Sequence, residues 1–288
     1  MKTYILFNPH AGSNNGEKNA HKLDIILKNE NLVYINITRT DAREFLKGVC
    51  AEDKIILCGG DGTLNRFIND IDTVSFKNDI YVYPAGSGND FLIDLNIRKP
   101  KVPVKINDYI KNLPVITVNG KEYKFINGAG LGIDGYACSE SGRIRREKSK
   151  SVSYVSIAVK GILKTFSPFN STITIDGKIY EYTNLWLAPS MKGRYCGSGL
   201  MFTPEQSRTS GKITFMAVHD VSRLRLLTIL PKVFKGNHIK HRKYVECIEG
   251  KHIIVEPEIP CPMQIDGEVI DNVSKYEIIS EYALKKEL

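Results

Sequence analysis

The stretch Lys54-Ile55-Ile56-Leu57-Cys58-Gly59-Gly60-Asp61-Gly62-Thr63-Leu64-Asn65 decides how this chain is read. An apolar run of strand length ends in glycines and passes directly into Leu64 to Ile71, where apolar residues recur at three-to-four spacing. A strand, a glycine turn and a helix in that order leave backbone N–H groups and a helix N-terminus facing one point, the arrangement that binds phosphate. Asp61 is out of place in a bare anion site, because its charge repels phosphate unless a metal ion intervenes or a proton is to be taken up. The alternative is a plain tight turn in which Asp61 and Thr63 cap the following helix.

Working outward, Tyr4 to Phe7, Leu32 to Ile37 and Ile80 to Tyr83 read as further strands, and Asn19 to Asn29 and Ala42 to Cys50 as helices. The order βαβαβα predicts a mostly parallel, helix-covered sheet, whose ligands sit at the carboxyl ends of the strands. Two more turns fall at that edge: Asn8-Pro9-His10-Ala11-Gly12 after the first strand and Ala85-Gly86-Ser87-Gly88-Asn89 after the fourth, with Asp90 near a helix start. After about Leu113 the rhythm changes to β-rich runs at Ser171 to Ile175, Ile179 to Leu187, Lys212 to Val218 and His252 to Glu256. Asp176-Gly177 is a hairpin signal between the first two. A second, largely antiparallel domain with a helical insertion near Ser151 to Thr165 follows. The predicted boundaries are 1–113 and 114–274, with 275–288 rejoining the first domain. A last turn, Gln264-Ile265-Asp266-Gly267-Glu268, carries two carboxylates, and a plain hairpin turn is its alternative reading.

A length of 288 residues fits two domains. No apolar stretch is long enough to span a bilayer, since Lys160 and Lys164 interrupt the best candidate, Val152 to Phe166. The run Tyr4 to Phe7 is too short for a signal-peptide core, so export is not expected. Six cysteines without a C-x-x-C pair suggest neither zinc nor a disulfide framework, and are read as reduced, mostly buried thiols of a cytoplasmic protein. A formal charge of +8 favours an anionic partner. Nucleic acid is not expected, because the bases are dispersed and no recognition module is present. His238 and His241 read as solvated surface, not metal ligands, with Lys240, Arg242 and Lys243 beside them available to lipid phosphate. A homodimer is left open.

The chain resembles the diacylglycerol kinase catalytic-domain family, which includes bacterial lipid kinases and the sphingosine kinases. The matching residues are Asn8-Pro9 with Gly12, Gly59 to Asn65, Ala85 to Phe91, Asn127-Gly128-Ala129-Gly130-Leu131-Gly132 and Asp266-Gly267-Glu268. The resemblance implies an α/β N-terminal domain like that of NAD kinase and phosphofructokinase, a C-terminal β-sandwich, ATP in a cleft and a lipid pocket in the second domain. By the same resemblance Asn8, Pro9, His10, Ala11, Gly12, Thr38, Gly59, Gly60, Asp61, Gly62, Thr63, Leu64, Asn65, Gly86, Ser87, Gly88 and Asn89 line the nucleotide site. Glu268 becomes the proton acceptor for the lipid hydroxyl. Asp61 organises Mg2+ with ATP or exchanges roles with Glu268, and Asp266 is a second candidate metal ligand.

This sequence departs from the family at three places. Ser13 stands where many members carry lysine, so Lys18 or another residue must supply that contact. Arg208-Thr209-Ser210-Gly211 replaces an acidic pair that ligates a structural Mg2+, so no such site is expected. Pro114-Val115-Ile116-Thr117 stands where a family aspartate is expected. Arg143, Arg145, Arg146, Lys148 and Lys150 precede an apolar segment containing Tyr154, Val155, Ile157, Ala158, Ile162 and Leu163, which reads as a docking element for an anionic membrane surface on the cytoplasmic side or as a solvated loop before a core helix. The implied activity is transfer of the γ-phosphate of ATP to a lipid hydroxyl, diacylglycerol giving phosphatidic acid in phospholipid metabolism. The alternatives are a sphingoid or polyprenol acceptor, a soluble acceptor as in NAD kinase, and a lipid-binding protein without turnover.

Overall fold

The computed structural model describes residues 1–71, 77–86, 88–148 and 153–281. By its internal contacts the chain divides into two compact units, Met1–Lys111 and Asn112–Leu288.

In the first unit β1 (Thr3–Phe7), β2 (Leu32–Asn36), β3 (Lys54–Gly59), β4 (Ile80–Pro84) and β5 (Val104–Lys105) form one sheet in the order β2-β1-β3-β4-β5. Its first four strands pair in parallel, and β5 closes the edge antiparallel to β4. β3 is buried over nearly its whole length, as a central strand covered on both faces must be. The strand order reverses between β1 and β3, so the turns after these strands flank the switch point where open α/β sheets bind ligands.

In the first unit the main departure from the sequence expectation lies in the helices after β1. Instead of one helix over 19–29 there are two short ones, Gly16–Ala20 and Leu23–Ile26. Ahead of them Gly12, Ser13 and Asn14 stand consecutively at positive φ (57°, 59° and 65°). Such a left-handed run costs energy for non-glycine residues, and periodicity of apolar side chains gives no hint of it.

The second unit contains β6 (Val115–Val118), β7 (Lys121–Lys124), β8 (Gly128–Gly132), β9 (Phe169–Ile175), β10 (Lys178–Leu185), β11 (Leu187–Met191), β12 (Tyr195–Cys196), β13 (Leu200–Met201), β14 (Ile213–Val218), β15 (Val245–Gly250), β16 (His252–Pro257), β17 (Cys261–Ile265), β18 (Glu268–Val273) and β19 (Tyr276–Ile279). β12 and β13 form a small ribbon, and the rest form two six-stranded sheets, β10-β9-β16-β19-β6-β7 and β15-β14-β11-β8-β17-β18. Every pairing in them is antiparallel. One core cluster draws Ile116, Ile173, Val255, Tyr276 and Ile278 from the first sheet and Leu131, Ala188, Phe215, Met263 and Ile265 from the second, which makes a sandwich. Along β14, Phe215 and Ala217 face that core. Met216 and Val218 join a second cluster with Trp186, Leu226, Ile229 and Val233, so this strand is buried on both faces. The hairpin at Asp176-Gly177 is present, with φ of 48° and 81°.

Three sequence expectations are corrected. The described part of the 275–288 tail stays in the second unit, because β19 pairs with both β16 and β6. The helical insertion is larger than 151–165: helix Ile133–Lys148 precedes helix Tyr154–Lys160 and the π-turn Gly161–Thr165. All six cysteines are free, as read, but only Cys58 and Cys196 are buried, while Cys50 and Cys247 are exposed.

Candidate active site residues

In the first unit three turns at the carboxyl edge of the sheet are tied together by side chains that sequence alone assigned to ligand contacts. Asn8 Nδ2 donates to Thr63 Oγ1 at 3.1 Å, and Asn8 Oδ1 accepts from the His10 N–H at 3.0 Å, joining the first turn to the second. The Asp61 carboxylate accepts from the backbone N–H of Asp90 (2.7 Å) and Phe91 (3.1 Å), joining the second turn to the third. Asp61 therefore caps helix Asp90–Asp94 and not the helix it begins, Asp61–Asp70. Gly12 must lack a side chain because a Cβ would strike the Ala85 carbonyl, and at Gly86 a Cβ would lie 2.7 Å from the Gly60 Cα. Beside Gly62, by contrast, there is open space at the first turn of a ten-residue helix, whose leading N–H groups lack intrahelical acceptors.

The remaining predicted nucleotide residues divide into two groups. Thr63, Leu64 and Asn65 are buried and anchor the helix. Thr38 follows β2 and gives its hydroxyl to Asn36 Oδ1 at 2.7 Å. Pro9 and Ala11 are half-buried, and His10 is exposed with Nδ1 against Asn14 Oδ1. Asn89 Nδ2 closes its own turn on the Gly86 carbonyl at 3.1 Å. Ser87 lies outside the described residues. Lys18 is exposed on helix Gly16–Ala20.

In the second unit Asp266 and Gly267 form the two-residue turn between β17 and β18, at φ of 46° and 91°. Asp266 Oδ1 accepts from the N–H groups of Asn127 (2.9 Å) and Gly128 (3.0 Å), and Oδ2 from that of Ile126 (2.6 Å). Its own N–H returns to the Gly128 carbonyl. With both oxygens committed to three backbone donors, Asp266 holds the turn against the start of β8 and is a poor metal ligand. Glu268, the first residue of β18, is exposed.

A carboxylate that sequence reasoning missed lies in the same unit. Asp134 opens helix Ile133–Lys148, its Oδ2 accepts from Gln264 Nε2 at 3.2 Å, and its enclosed Oδ1 has no hydrogen-bond partner. Burial pushes its pKa up to about 6, against weaker lowering by hydrogen bonds from the Gly135 backbone, Gln264 and its own backbone. Gln264 Oε1 in turn accepts from the Gly267 N–H at 2.9 Å, so a short relay links Asp134 to the turn that carries Glu268. Burial, then the charges of Asp134 and Glu268, push the thiol of Cys138, on the same helix as Asp134, up to about 12. The available sequence signal was an aspartate two residues after the last glycine of Asn127 to Gly132.

The stretch Arg208-Thr209-Ser210 contributes a guanidinium to this region. Arg208 Nη1 donates to the Ile126 carbonyl and Nη2 to Asn127 Oδ1 (2.6 Å), so a resident cation bridges this loop to the start of β8. Lys192 is buried nearby. Desolvation holds it below the usual lysine range, with Glu281 opposing and Arg208 adding to the effect.

Two domain models together match most of the chain. Residues 2–116 match the diacylglycerol kinase catalytic domain, and residues 128–284 the YegS C-terminal NAD kinase beta sandwich-like domain. The chain belongs to the diacylglycerol kinase catalytic-domain family. A diacylglycerol kinase of Mycobacterium tuberculosis is 24% identical to this family member over 283 residues, covering 91% of this chain and 90% of that one. A crystal structure of a diacylglycerol kinase from Bacillus anthracis strain Sterne superposes with a TM-score of 0.63 at 22% identity, covering 97% of this chain and 94% of the other, and so shares its fold.

The remaining sequence readings fall in the helical layer of the second unit. Arg143, Arg145 and Arg146 lie on helix Ile133–Lys148 and are exposed, but Arg143 is already paired with Glu140 and Glu147 at 2.8 Å each. Lys150 lies outside the described residues. Within the apolar segment that follows, Ile157 and Ile162 are buried whereas Tyr154 and Leu163 are exposed. No described helix is long and apolar enough to cross a membrane. His238 corrects the solvated reading: it is buried, with Nε2 2.8 Å from the Phe202 carbonyl, and burial holds it below the usual histidine range. His241 lies near the surface against Lys232 Nζ at 2.7 Å.

Proposed function

We propose that this chain is an ATP-dependent lipid kinase that moves the γ-phosphate of ATP to the free hydroxyl of diacylglycerol, giving phosphatidic acid. The observation that carries this reading is the Asp61 carboxylate on the Asp90 and Phe91 N–H groups, which locks two glycine turns edge to edge beside a third. Phosphoryl transfer asks a protein mainly for fixed dipoles around the phosphates, and turns that cannot move relative to one another supply them without reorganisation. ATP supplies the phosphoryl group, and Mg2+ bound to its phosphates supplies positive charge against the oxygens. Asp61 would orient that ion through a bound water, since its own oxygens are held by the Asp90 and Phe91 N–H groups.

A neutral hydroxyl also needs a proton acceptor. Glu268 suits that role better than Asp61, because it is exposed on a braced turn while Asp61 is committed to backbone donors. Exposed Arg145, Arg146, Tyr154 and Leu163 support docking at an anionic lipid surface from the cytoplasmic side.

Transfer of labelled phosphate from ATP to diacylglycerol in mixed micelles tests the reading. Glu268→Gln lowers turnover by on the order of a hundredfold or more while ATP binding persists. Asp61→Ala loses both, since it frees the turns. Full transfer to a water-soluble acceptor in place of lipid, or full activity in Glu268→Gln, would overturn the assignment.

A further inference from the structure

Between Val221 and Val245 the chain carries seven lysines and arginines and no aspartate or glutamate. The inner side of this segment is already used: Leu226, Ile229 and Val233 are buried in the cluster with Trp186, Met216 and Val218. Its outer side is of mixed character. Leu224 is 75% exposed and Phe234 47% exposed, and they stand among exposed Arg225, Lys232, Lys235 and Lys240. None of these four bases has an ion-pair partner among the described residues. Slight burial and the charges of Lys232 and Arg225 hold His241 below the ordinary histidine range, as a locally positive surface should.

Arg223 extends this surface to a second element. Its guanidinium lies 5.2 Å over the Trp186 ring and donates to the Ile162 carbonyl, which fastens helix Arg223–Ile229 to the π-turn Gly161–Thr165. On that turn Leu163, 47% exposed, sits beside exposed Lys164. Nine large apolar side chains are exposed among the described residues, and Tyr154, Leu163, Leu224 and Phe234 all belong to this one helical layer. A solvated face accounts for the bases but not for four large apolar groups kept among them. A nucleic-acid backbone would use the charges and leave Leu224 and Phe234 without a role. A bilayer surface with anionic headgroups uses both, with bases at the phosphates and apolar side chains in the headgroup–acyl boundary.

We propose that the outer side of Ser222 to Lys243, joined to the Leu163–Lys164 turn, docks the protein on an anionic lipid surface, with Leu224 and Phe234 as the inserted groups. The lipid-kinase reading supplies the purpose of this surface, but the binding itself is measurable without turnover. Co-sedimentation of the full chain with phosphatidylcholine vesicles, with and without phosphatidylglycerol, reads it directly. Binding to the mixed vesicles exceeds binding to phosphatidylcholine alone. Arg225→Gln with Lys235→Gln weakens it roughly fivefold for each base, and Leu224→Ser with Phe234→Ser weakens it about tenfold or more.

All four positions are solvent-facing, so the variants keep the wild-type thermal midpoint and their turnover on a short-chain diacylglycerol dissolved as monomer. Unchanged vesicle binding in both pairs overturns the proposal. So does displacement of bound vesicles by duplex DNA at equal phosphate concentration, or a dimer in sedimentation that Leu224→Ser with Phe234→Ser dissociates. Vesicle binding lost in the variants, with no phosphate transfer to any lipid by the wild type, would sustain the docking surface and sink the kinase reading alone.

Discussion

Asp134 keeps its carboxyl enclosed with one oxygen unpartnered, and this has a measurable consequence. Because burial raises its pKa from 3.8 to about 6, the folded chain retains a proton there that the unfolded chain gives up above about pH 4. The stability this proton confers is complete below pH 4 and is lost as pH rises through 6. Asp134→Asn keeps the shape and can still accept from Gln264, without the ionised form. Above pH 7 the variant is therefore more stable than the wild type by about 3 kcal/mol, and the fall in thermal midpoint between pH 4 and 7 becomes shallower. An unaltered pH profile in calorimetry would show that Asp134 is not the titrating group. Asp61 is the opposite case, since its charge is held by the backbone N–H groups of Asp90 and Phe91 and its removal costs the geometry of two turns.

At the scale of elements, the turn between β17 and β18 shows how one side chain can fix a strand end. Asp266 collects three N–H groups from the residues that lead into β8, and Gln264 ties Gly267 from the other side. Asp266→Ala leaves those donors unsatisfied and also places alanine at positive φ, so unfolding in urea shows a loss of roughly 2–4 kcal/mol. Asp266→Asn tolerates the backbone and retains one acceptor, so its loss is about half as large. Equal losses would mean that neither the left-handed backbone nor the retained acceptor contributes. The glycine turns of the first unit follow a different rule: close approach of backbone to backbone, as at Gly12 against Ala85 and Gly86 against Gly60, excludes any side chain.

At the scale of the molecule, a charge of +8 over 288 residues sets how it meets anionic surfaces. The exposed bases of the second unit act through solvent, where screening shortens their reach from about 10 Å at 0.1 M salt to about 3 Å at 1 M. Vesicle binding accordingly weakens by about tenfold or more between these conditions, while turnover on a monomeric short-chain acceptor changes little. Binding insensitive to salt would assign the contact to apolar insertion alone. Each unit owes its core to a different pattern. β3 reads as a continuous apolar run because helices cover both faces of its sheet. β9 alternates between buried and partly exposed residues because one face of its sheet meets the sandwich core.

The sequence by itself determined the βαβ order of the first unit, the antiparallel character of the second, the glycine turns and the family, because strand period, turn chemistry and glycine spacing are local properties of the chain. It also placed Asn8, Asp61, Asp266 and Glu268 among the residues that matter. Only the tertiary structure decided what most of them do: Asp61 caps a helix 29 residues away, Asp266 grips backbone some 140 residues earlier, and Leu64 and Asn65 turn inward. It likewise showed His238 buried, Asp134 with one oxygen unpartnered beside Gln264, and Leu224 and Phe234 outward among bases with no ion pair among the described residues. The reason is physical. A carboxylate's role depends on which donors reach it, and donors far apart in sequence meet only when the sheets have packed.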